Sequence, residues 1–294
     1  MQSANIYIQE FLDKVLPGIT TYLLVCSRRF NRNVLGFAVR IPPFRKSAIN
    51  CTFSGAKLRI YVPGGPEKRR PSSAHIRESL DGLFARLREV CVWRLANKLS
   101  TVRLGEFDSL TSLDCSGSDC IPPSEEFEIN LAIRHSDYSR TNRYHDIGLL
   151  RLAKSVEYKV HIKPICLITN TALQPRIERL QRLVATGWGS SSSGSPSHTL
   201  KSIRVTRVDR SECRRRYLVN CRRDQICVSH ESGESCSGDS GGPMGHAFRY
   251  DGQVVFIQVG IVSYGNPECH SPSVFTDVMR HVAWIKWVVD RHTE

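Results

Sequence analysis

One ten-residue segment constrains the fold and chemistry of this chain more than any other feature. Glu234 to Pro243 reads ESCSGDSGGP, in which glycines surround Ser240. A serine hydroxyl becomes an effective nucleophile only when a base removes its proton and fixed donors stabilise the developing oxyanion. The backbone N–H groups of Gly238 and Ser240 are the candidate donors, and Cys236 would anchor the loop. The segment therefore predicts a nucleophilic Ser240; the alternative is a serine in an ordinary turn.

The 11 cysteines are distributed unevenly along the 294 residues. Three lie in the first hundred residues and eight lie after them, between Cys115 and Cys269. A cysteine-rich region of this kind is typical of a disulfide framework in an exported protein. We therefore expect a secreted protein.

The net charge of +13 divides at the same place. The first hundred residues carry 17 Lys and Arg against 6 Asp and Glu, whereas the remainder carries 24 against 22. We interpret residues 1–100 as an unassigned basic region and residues 101–289 as a separate domain. A basic binding domain for an acidic partner is an alternative for the first part, but no nucleic-acid motif accompanies the charge.

An export signal is not convincing at the start of the chain. Val15 to Cys26 has the length of a signal-peptide core, but Glu10 and Asp13 precede it where positive charge is expected. The stretch is too short to span a bilayer. We interpret it as an ordinary buried segment and expect no association with a membrane.

Hydrophobic periodicity indicates an all-β body with one closing helix. Residues 127–133 alternate apolar and polar side chains, as in a strand with one buried face. Asp251-Gly252 between two apolar runs predicts a hairpin. The stripe from Val278 to Val289 has helical spacing, and so has the stretch from Ile76 to Leu95, which predicts an amphipathic helix.

Three further motifs accompany the serine segment. They are DIGLLRL from Asp146, TGWG from Thr186 and SYG from Ser263. Together these motifs resemble the chymotrypsin/trypsin family of serine proteases, and the resemblance extends from about Thr101 to Val289. Within that family, the motifs VRLGEFD and HSDY and the close cysteine pair Cys115/Cys120 are most similar to the arthropod clip-domain proteases.

The resemblance implies a fold of two six-stranded antiparallel β-barrels with a C-terminal α-helix, in which the first barrel is incomplete. It also implies a secreted zymogen of a proteolytic cascade that cleaves peptide bonds through an acyl-enzyme. The implied partners are protein substrates, an upstream activating protease and a protein inhibitor. We expect no cofactor and no nucleic acid, and no group of residues has the spacing of a metal site.

Residue roles follow from the same resemblance. Ser240 would be the nucleophile, Asp146 the carboxylate that fixes the tautomer of a histidine, and Gly238 with Ser240 the oxyanion donors. The alternative for Asp146 is a capping or turn aspartate.

The resemblance also assigns residues to substrate binding. Ser263 and Gly265 lie on the strand that pairs with substrate backbone. Glu234 stands at the floor of the specificity pocket, where a carboxylate favours Arg or Lys but a longer side chain shortens the pocket. Ser273 replaces a glycine of the pocket wall.

The resemblance implies a set of disulfides. These are Cys213–Cys227, Cys236–Cys269, Cys115–Cys120 and a bond from Cys166 to an upstream segment. The pairing of the other cysteines, Cys26, Cys51, Cys91 and Cys221, is left open.

The general base is the least clear part of the site. In this family the histidine precedes the aspartate, and the candidates before Asp146 are His75, His135 and His145. The last two do not match the catalytic position. His75, in SSAHI, partly matches the family motif T-A-A-H-C; the alternative is an exposed histidine at the start of a helix.

Activation leaves a similar gap. No RIVGG activation sequence is present, and Asp239 has no evident partner in the sequence. Two interpretations therefore remain: an active endopeptidase, or a non-catalytic protease homologue that serves as a binding module. The abrupt change near Ser100 also leads to the hypothesis that residues 1–100 do not represent the native N-terminal half of the protease.

Overall fold

The computed structural model describes residues 101–116, 118–189, 197–230, 239–250, 252–265 and 272–292, together with the backbone of five short strands in the first hundred residues. Those five strands are β1 (Tyr22–Val25), β2 (Leu35–Val39), β3 (Ile49–Asn50), β4 (Leu58–Arg59) and β5 (Val90–Trp93). The next six are β6 (Thr101–Leu104), β7 (Asp114–Ser116), β8 (Asp119–Ile121), β9 (Glu125–His135), β10 (Gly148–Leu152) and β11 (Leu167–Ile168).

The C-terminal half supplies six more strands and the helices. The strands are β12 (Arg182–Gly187), β13 (Lys201–Arg207), β14 (Gln225–His230), β15 (Pro243–Tyr250), β16 (Gln253–Tyr264) and β17 (Ser273–Asp277). The α-helices are α1 (Gln174–Glu178), α2 (Arg210–Tyr217) and α3 (Val282–His292), and two 3-10 turns span Thr171–Leu173 and Met279–His281.

Strands β12 to β17 close into a six-stranded antiparallel barrel with the order β12-β13-β14-β17-β16-β15. Its longest pairing joins β15 to β16 across the predicted Asp251-Gly252 turn, which confirms the hairpin. Gly252 has a φ of 77°, which glycine adopts without steric cost. Fully buried side chains such as Val228, Ile257 and Phe275 fill the interior of this barrel. It is the second of the two expected barrels.

Seven of the strands before residue 153 form another antiparallel sheet, whereas β3 pairs with β11 and β7 pairs with β8 in separate two-stranded sheets. Its pairings run β10-β1-β2-β4-β6-β9, and β9 also pairs with β10, so the sequence of pairings returns to its starting strand. The joins through the N-terminal strands are short: β2 and β4 pair at only two positions, Leu35 with Arg59 and Gly36 with Leu58. Strand β9 confirms the strand predicted at 127–133. Backbone from before and after residue 100 therefore contributes to one sheet.

One predicted helix is corrected in part. Val90–Trp93, inside the stretch expected to be helical, is strand β5 and pairs with β9. Val, Cys, Val and Trp favour extended backbone, and the hydrogen bonds to β9 stabilise it over a helix. The rest of 76–95 lies outside the described residues. Within the candidate signal segment, Tyr22–Val25 is a strand that pairs with both β10 and β2, as expected for an ordinary part of the fold.

The C-terminal helix holds the two sheets together. In α3, Ile285, Val288 and Val289 are fully buried in a cluster that contains Leu149 of β10 and Ile261 of β16. This arrangement confirms the predicted closing helix. With 11 residues α3 is the longest helix in the described part of the chain, where no helix combines the length and apolar character needed to cross a membrane.

Candidate active site

Ser263 connects the two predicted catalytic side chains. Its hydroxyl donates to Asp146 Oδ2 at 2.6 Å, and its carbonyl oxygen lies 3.5 Å from Ser240 Oγ. Ser263 is fully buried on β16, whereas Asp146 and Ser240 are 94 residues apart in the sequence. The fold therefore brings the predicted nucleophile and the predicted carboxylate to the same residue of one strand.

Asp146 is held by its backbone as well as by its side chain. Thr276 Oγ1 of β17 donates to the Asp146 carbonyl at 2.9 Å, and the residue has no exposed surface. The turn before it is strained, because Arg143 and His145 both have positive φ, at 57° and 51°. A buried polar group is costly unless it is hydrogen-bonded, and the Ser263 hydroxyl supplies such a bond to this carboxyl group. This geometry suits a role for Asp146 in orienting a general base, rather than a role in contact with solvent.

Ser240 lies at a sharp turn between the end of the glycine-rich segment and β15. Gly241, with a φ of 94°, donates its N–H to the Val262 carbonyl at 2.8 Å, and the Val262 N–H donates back to Gly242 at 2.9 Å. Only glycine enters this region of φ readily. The two bonds fix the turn against β16, next to Ser263.

Asp239 has a partner that the sequence did not indicate. Its Oδ1 accepts the Gly189 N–H at 2.7 Å, so the expectation of an unpartnered Asp239 is corrected. A Cβ at Gly187 or Gly189 would collide with the same carboxylate, because its atoms occupy the space that the missing side chains leave. The glycines of TGWG thus form a cradle for Asp239, which is how that motif and the serine segment are physically related.

A narrow gap separates Ser273, the predicted wall residue of the specificity pocket, from Gly265, which is predicted to contact substrate backbone. A Cβ built on Gly265 would lie 2.8 Å from Ser273 Oγ, so the serine hydroxyl faces the glycine directly. A glycine at position 273, with a hydrogen in place of the serine side chain, would widen the gap between the two residues. The role of Ser273 in the pocket remains a prediction.

Two histidines considered as the base take part in a separate cluster. The rings of His135 and His145 are stacked with centroids 4.6 Å apart, and His145 Nδ1 lies 3.3 Å from His281 Nε2 of the turn before α3. His135 and His145 are therefore engaged with other rings. His75 lies outside the described residues.

Several other predicted residues also lie outside the described part of the chain. They are Glu234, Cys236, Gly238 and Cys269. Their roles, including the second oxyanion donor, the pocket floor and the Cys236–Cys269 bond, remain predictions.

Two of the implied disulfides are present, Cys115–Cys120 and Cys213–Cys227. The bond implied from Cys166 is not formed, because Cys166 is a free thiol 1% exposed. Backbone hydrogen bonds to Phe256 and from Gln258 fix Cys166 beside β16, and its side chain belongs to the barrel core. Cys221 is the other free cysteine among the described residues, and burial raises the pKa of its thiol to about 11. A thiol with that pKa is a poor nucleophile near neutral pH.

The double-barrel class of serine proteases is defined by a closed antiparallel barrel, a terminal helix that packs on both sheets, and a buried serine that contacts both the predicted carboxylate and the predicted nucleophile. Comparison with known proteins agrees. The trypsin family model matches residues 102–285, and the chain belongs to that family.

Insect proteases are among its relatives. The chain is 36% identical to Serine protease grass of Drosophila melanogaster over 66% of its own length and 54% of that protein. It is 35% identical to CLIP domain-containing serine protease HP8 of Bombyx mori over 64% of its length and 53% of that protein. The crystal structure of the Drosophila Grass clip serine protease of the Toll pathway matches with a TM-score of 0.61 and 26% identity, covering 95% of this chain and 72% of that one. The chain spans about half the length of the curated relatives it matches.

Sequence reasoning missed three features near the site. The sequence showed Gly187 and Gly189 only as part of a motif. It did not show that they surround Asp239, since the contact spans 50 residues. The pairing of His145 with His281 spans 136 residues and has no local signal. The hydrogen bond between Ser263 and Asp146 was also not anticipated, although both residues were named.

Proposed function

We propose that this protein is a trypsin-like serine endopeptidase whose nucleophile is Ser240. The observation that carries the proposal is the buried hydrogen bond from Ser263 to Asp146, with the Ser263 carbonyl beside the Ser240 hydroxyl. A binding module has no physical need for a buried carboxylate aligned in this way, because burying that charge is costly.

In the proposed reaction His75 removes the proton of Ser240 Oγ as the oxygen attacks the carbonyl carbon of the scissile peptide. Asp146 holds the histidine in the required tautomer and stabilises its protonated form. The N–H groups of Gly238 and Ser240 stabilise the oxyanion of the tetrahedral intermediate. The histidine returns its proton to the leaving amine, and water then hydrolyses the acyl-enzyme by the same route in reverse.

The proposed substrates are proteins with a basic residue before the scissile bond. Glu234 at the pocket floor pairs with Arg or Lys, and substrate backbone pairs with the strand that ends at Ser263 and Gly265. Because Ser273 Oγ faces Gly265 closely, we expect the preference for basic side chains to be weak.

The proposed setting is a secreted proteolytic cascade with an upstream activating protease and a protein inhibitor. Relatives include Phenoloxidase-activating factor 1 of Holotrichia diomphalia, 35% identical over 66% of this chain, and Melanization protease 1 of Drosophila melanogaster, 33% identical over 64%. The first of these names describes an activating factor and the second a protease of melanization, which supports a cascade protease here.

A non-catalytic homologue is the second candidate, favoured by two observations. The rings of His135 and His145 stack on each other in a separate cluster instead of serving as the general base. Ser273 narrows the space beside Gly265. A protein of this kind would keep the protease surface for binding and would not turn over substrate.

The two candidates are separated by labelling with a fluorophosphonate, which reacts with an activated serine and forms a covalent adduct. The full chain, treated with a trypsin-like activating protease, should be labelled at Ser240. Ser240→Ala is the matched control, and His75→Ala should reduce turnover by about 10⁶-fold, the size of the loss when the histidine of a serine-protease triad is removed. Absence of Ser240 labelling after activation would establish the non-catalytic candidate.

A further inference from the structure

The strongest unassigned feature is a group of three histidines next to the candidate active site. His135 ends β9, His145 lies in the strained turn before Asp146, and His281 lies in the turn that leads into α3. One ring nitrogen of each lies within 4.8 Å of the others. Three separate parts of the chain thus converge on one point with nitrogen donors.

The closest pair has the separation of two ligands on one metal ion. His145 Nδ1 and His281 Nε2 are 3.3 Å apart. Two nitrogens bound to tetrahedral Zn²⁺ at 2.0–2.1 Å are about 3.3–3.4 Å from each other. The existing separation therefore accommodates the cation without movement of the backbone.

The tautomer of His281 is already set for coordination. Its Nδ1 lies 2.7 Å from the Asp277 carbonyl, so Nδ1 carries the proton and donates it. The lone pair is consequently on Nε2, the atom that faces His145. A backbone carbonyl on the far nitrogen is the usual support of a metal-binding histidine.

A buried carboxylate without hydrogen bonds lies on the other side of His145. Asp224 is 8% exposed, and within the described structure neither of its oxygens has a hydrogen-bond partner. Its Oδ2 is 3.5 Å from His145 Nδ1, and its Oδ1 is 3.4 Å from Arg222 Nε. A buried carboxylate that lacks hydrogen bonds is costly; Arg222 compensates part of its charge from one side, and a cation on the side of the histidines would compensate it further.

A single proton satisfies this group only in part. If His145 Nδ1 carries it, the proton lies between His281 Nε2 and Asp224 Oδ2, at long distances to both. A divalent cation binds both acceptors and the Nδ1 lone pair together.

We propose that His135, His145 and His281 form a binding site for a borderline divalent transition metal such as Zn²⁺, with the carboxylate of Asp224 beside His145 as a further acidic group. Imidazole and carboxylate donors suit Zn²⁺, Co²⁺, Ni²⁺ and Cu²⁺ and exclude a preference for Ca²⁺. The ring of His135 is nearly parallel to that of His145, with 13° between the planes, so it must rotate to share a cation. Its contribution is therefore the smallest of the three histidines.

The test uses the full chain with its disulfides intact and reads metal binding directly. Co²⁺ should produce a visible d–d band at one equivalent, without the near-ultraviolet charge-transfer band of thiolate ligands, and Zn²⁺ should displace it. Calorimetry then gives the Zn²⁺ affinity of each variant. These readouts do not depend on the activity of Ser240, so the proposal stands or fails independently of the proposed protease function.

His145→Asn and His281→Gln should each weaken Zn²⁺ binding by roughly 100-fold or more, and Asp224→Asn by roughly 10–100-fold. Asparagine tolerates the positive φ of position 145, so His145→Asn should fold normally, as circular dichroism and the thermal midpoint would verify. His135→Asn should have a smaller effect. The matched control is His198→Asn, at an exposed histidine whose ring contacts Ser109, and it should change affinity less than twofold.

Three results would overturn the proposal. The first is the absence of a saturable Co²⁺ band in the wild-type chain. The second is Zn²⁺ affinity within twofold of wild type in a folded His145→Asn variant. The third is a thiolate charge-transfer band that persists in that variant, because the metal would then be held by cysteines.

Discussion

At the scale of single residues, the active-site region depends on small side chains that leave room for charged ones. Asp239 occupies the space beside Gly187 and Gly189 and accepts the N–H of the latter. Ser263 likewise donates a hydrogen bond to Asp146, because a small hydroxyl group fits at a place where both residues are fully buried. The positions of these two acidic side chains therefore depend as much on the small size of the neighbouring side chains as on the hydrogen bonds that the neighbours donate.

A double-mutant cycle tests the glycine cradle. Gly187→Ala should lower the free energy of unfolding by about 1–3 kcal/mol, since its Cβ collides with the Asp239 carboxylate. In the background of Asp239→Ala the same substitution should cost much less, because the colliding atoms are gone. Urea denaturation of the four proteins gives the coupling energy. Equal costs in both backgrounds would show that Asp239 is not the reason for the glycine.

At the scale of elements, the N-terminus of α2 is stabilised by a capping side chain, whereas its C-terminus is followed by a residue in a strained conformation. It begins at Arg210 after Asp209, whose side chain accepts the Ser211 N–H at 2.8 Å as an N-cap. It ends at Tyr217, and the C-cap residue Leu218 has a φ of 54° and is 91% exposed. A leucine in the left-handed region adds strain and buries almost nothing in return.

Leu218→Gly should therefore stabilise the protein by about 0.5–1 kcal/mol, because glycine adopts this C-cap conformation without strain. Leu218→Ala is the matched control, since it removes the exposed side chain but keeps the Cβ that causes the strain. Thermal and urea unfolding of both variants provide the measurement. If Leu218→Ala stabilises as much as Leu218→Gly, exposure of leucine rather than backbone strain is the cause.

Elements with local signals were predictable from sequence, and those set by distant contacts were not. The hairpin at Asp251-Gly252 and the helix after Val278 have complete local patterns, and both are present. Val90–Trp93 lies inside a helical pattern, yet pairing with β9 determines its structure. The serine segment identified Ser240 because its chemistry is local. The contact of His145 with His281 depends on the folding of the whole chain.

At the scale of the whole molecule, the two sheets differ in how extensively they are paired. The second barrel contains the β15–β16 hairpin with eight paired positions, whereas β2–β4 and β4–β6 have two each. Longer ladders require more hydrogen bonds to break together before an amide is exposed. The stability of the fold is consequently concentrated in the C-terminal half.

Native-state hydrogen exchange should reveal this difference. Amides of β15 and β16 should exchange at least about 100-fold more slowly than those of β2 and β4, since opening of the longer ladder approaches global unfolding. Mass spectrometry of peptic fragments resolves the two regions in one experiment. Comparable protection in both would contradict the difference in pairing as the determinant of local stability.

The pairing of β1 with β10 has a consequence for synthesis in the cell. Tyr22 is opposite Arg151, so β1 meets this neighbour only after more than a hundred further residues have been synthesised. At about 5–20 residues per second, a ribosome needs roughly 6–25 s to extend the chain from one strand to the other. During that interval the backbone groups along one edge of β1 lack their native partner strand. The ring of the first sheet is therefore completed only when β10 has been synthesised, long after β1 itself.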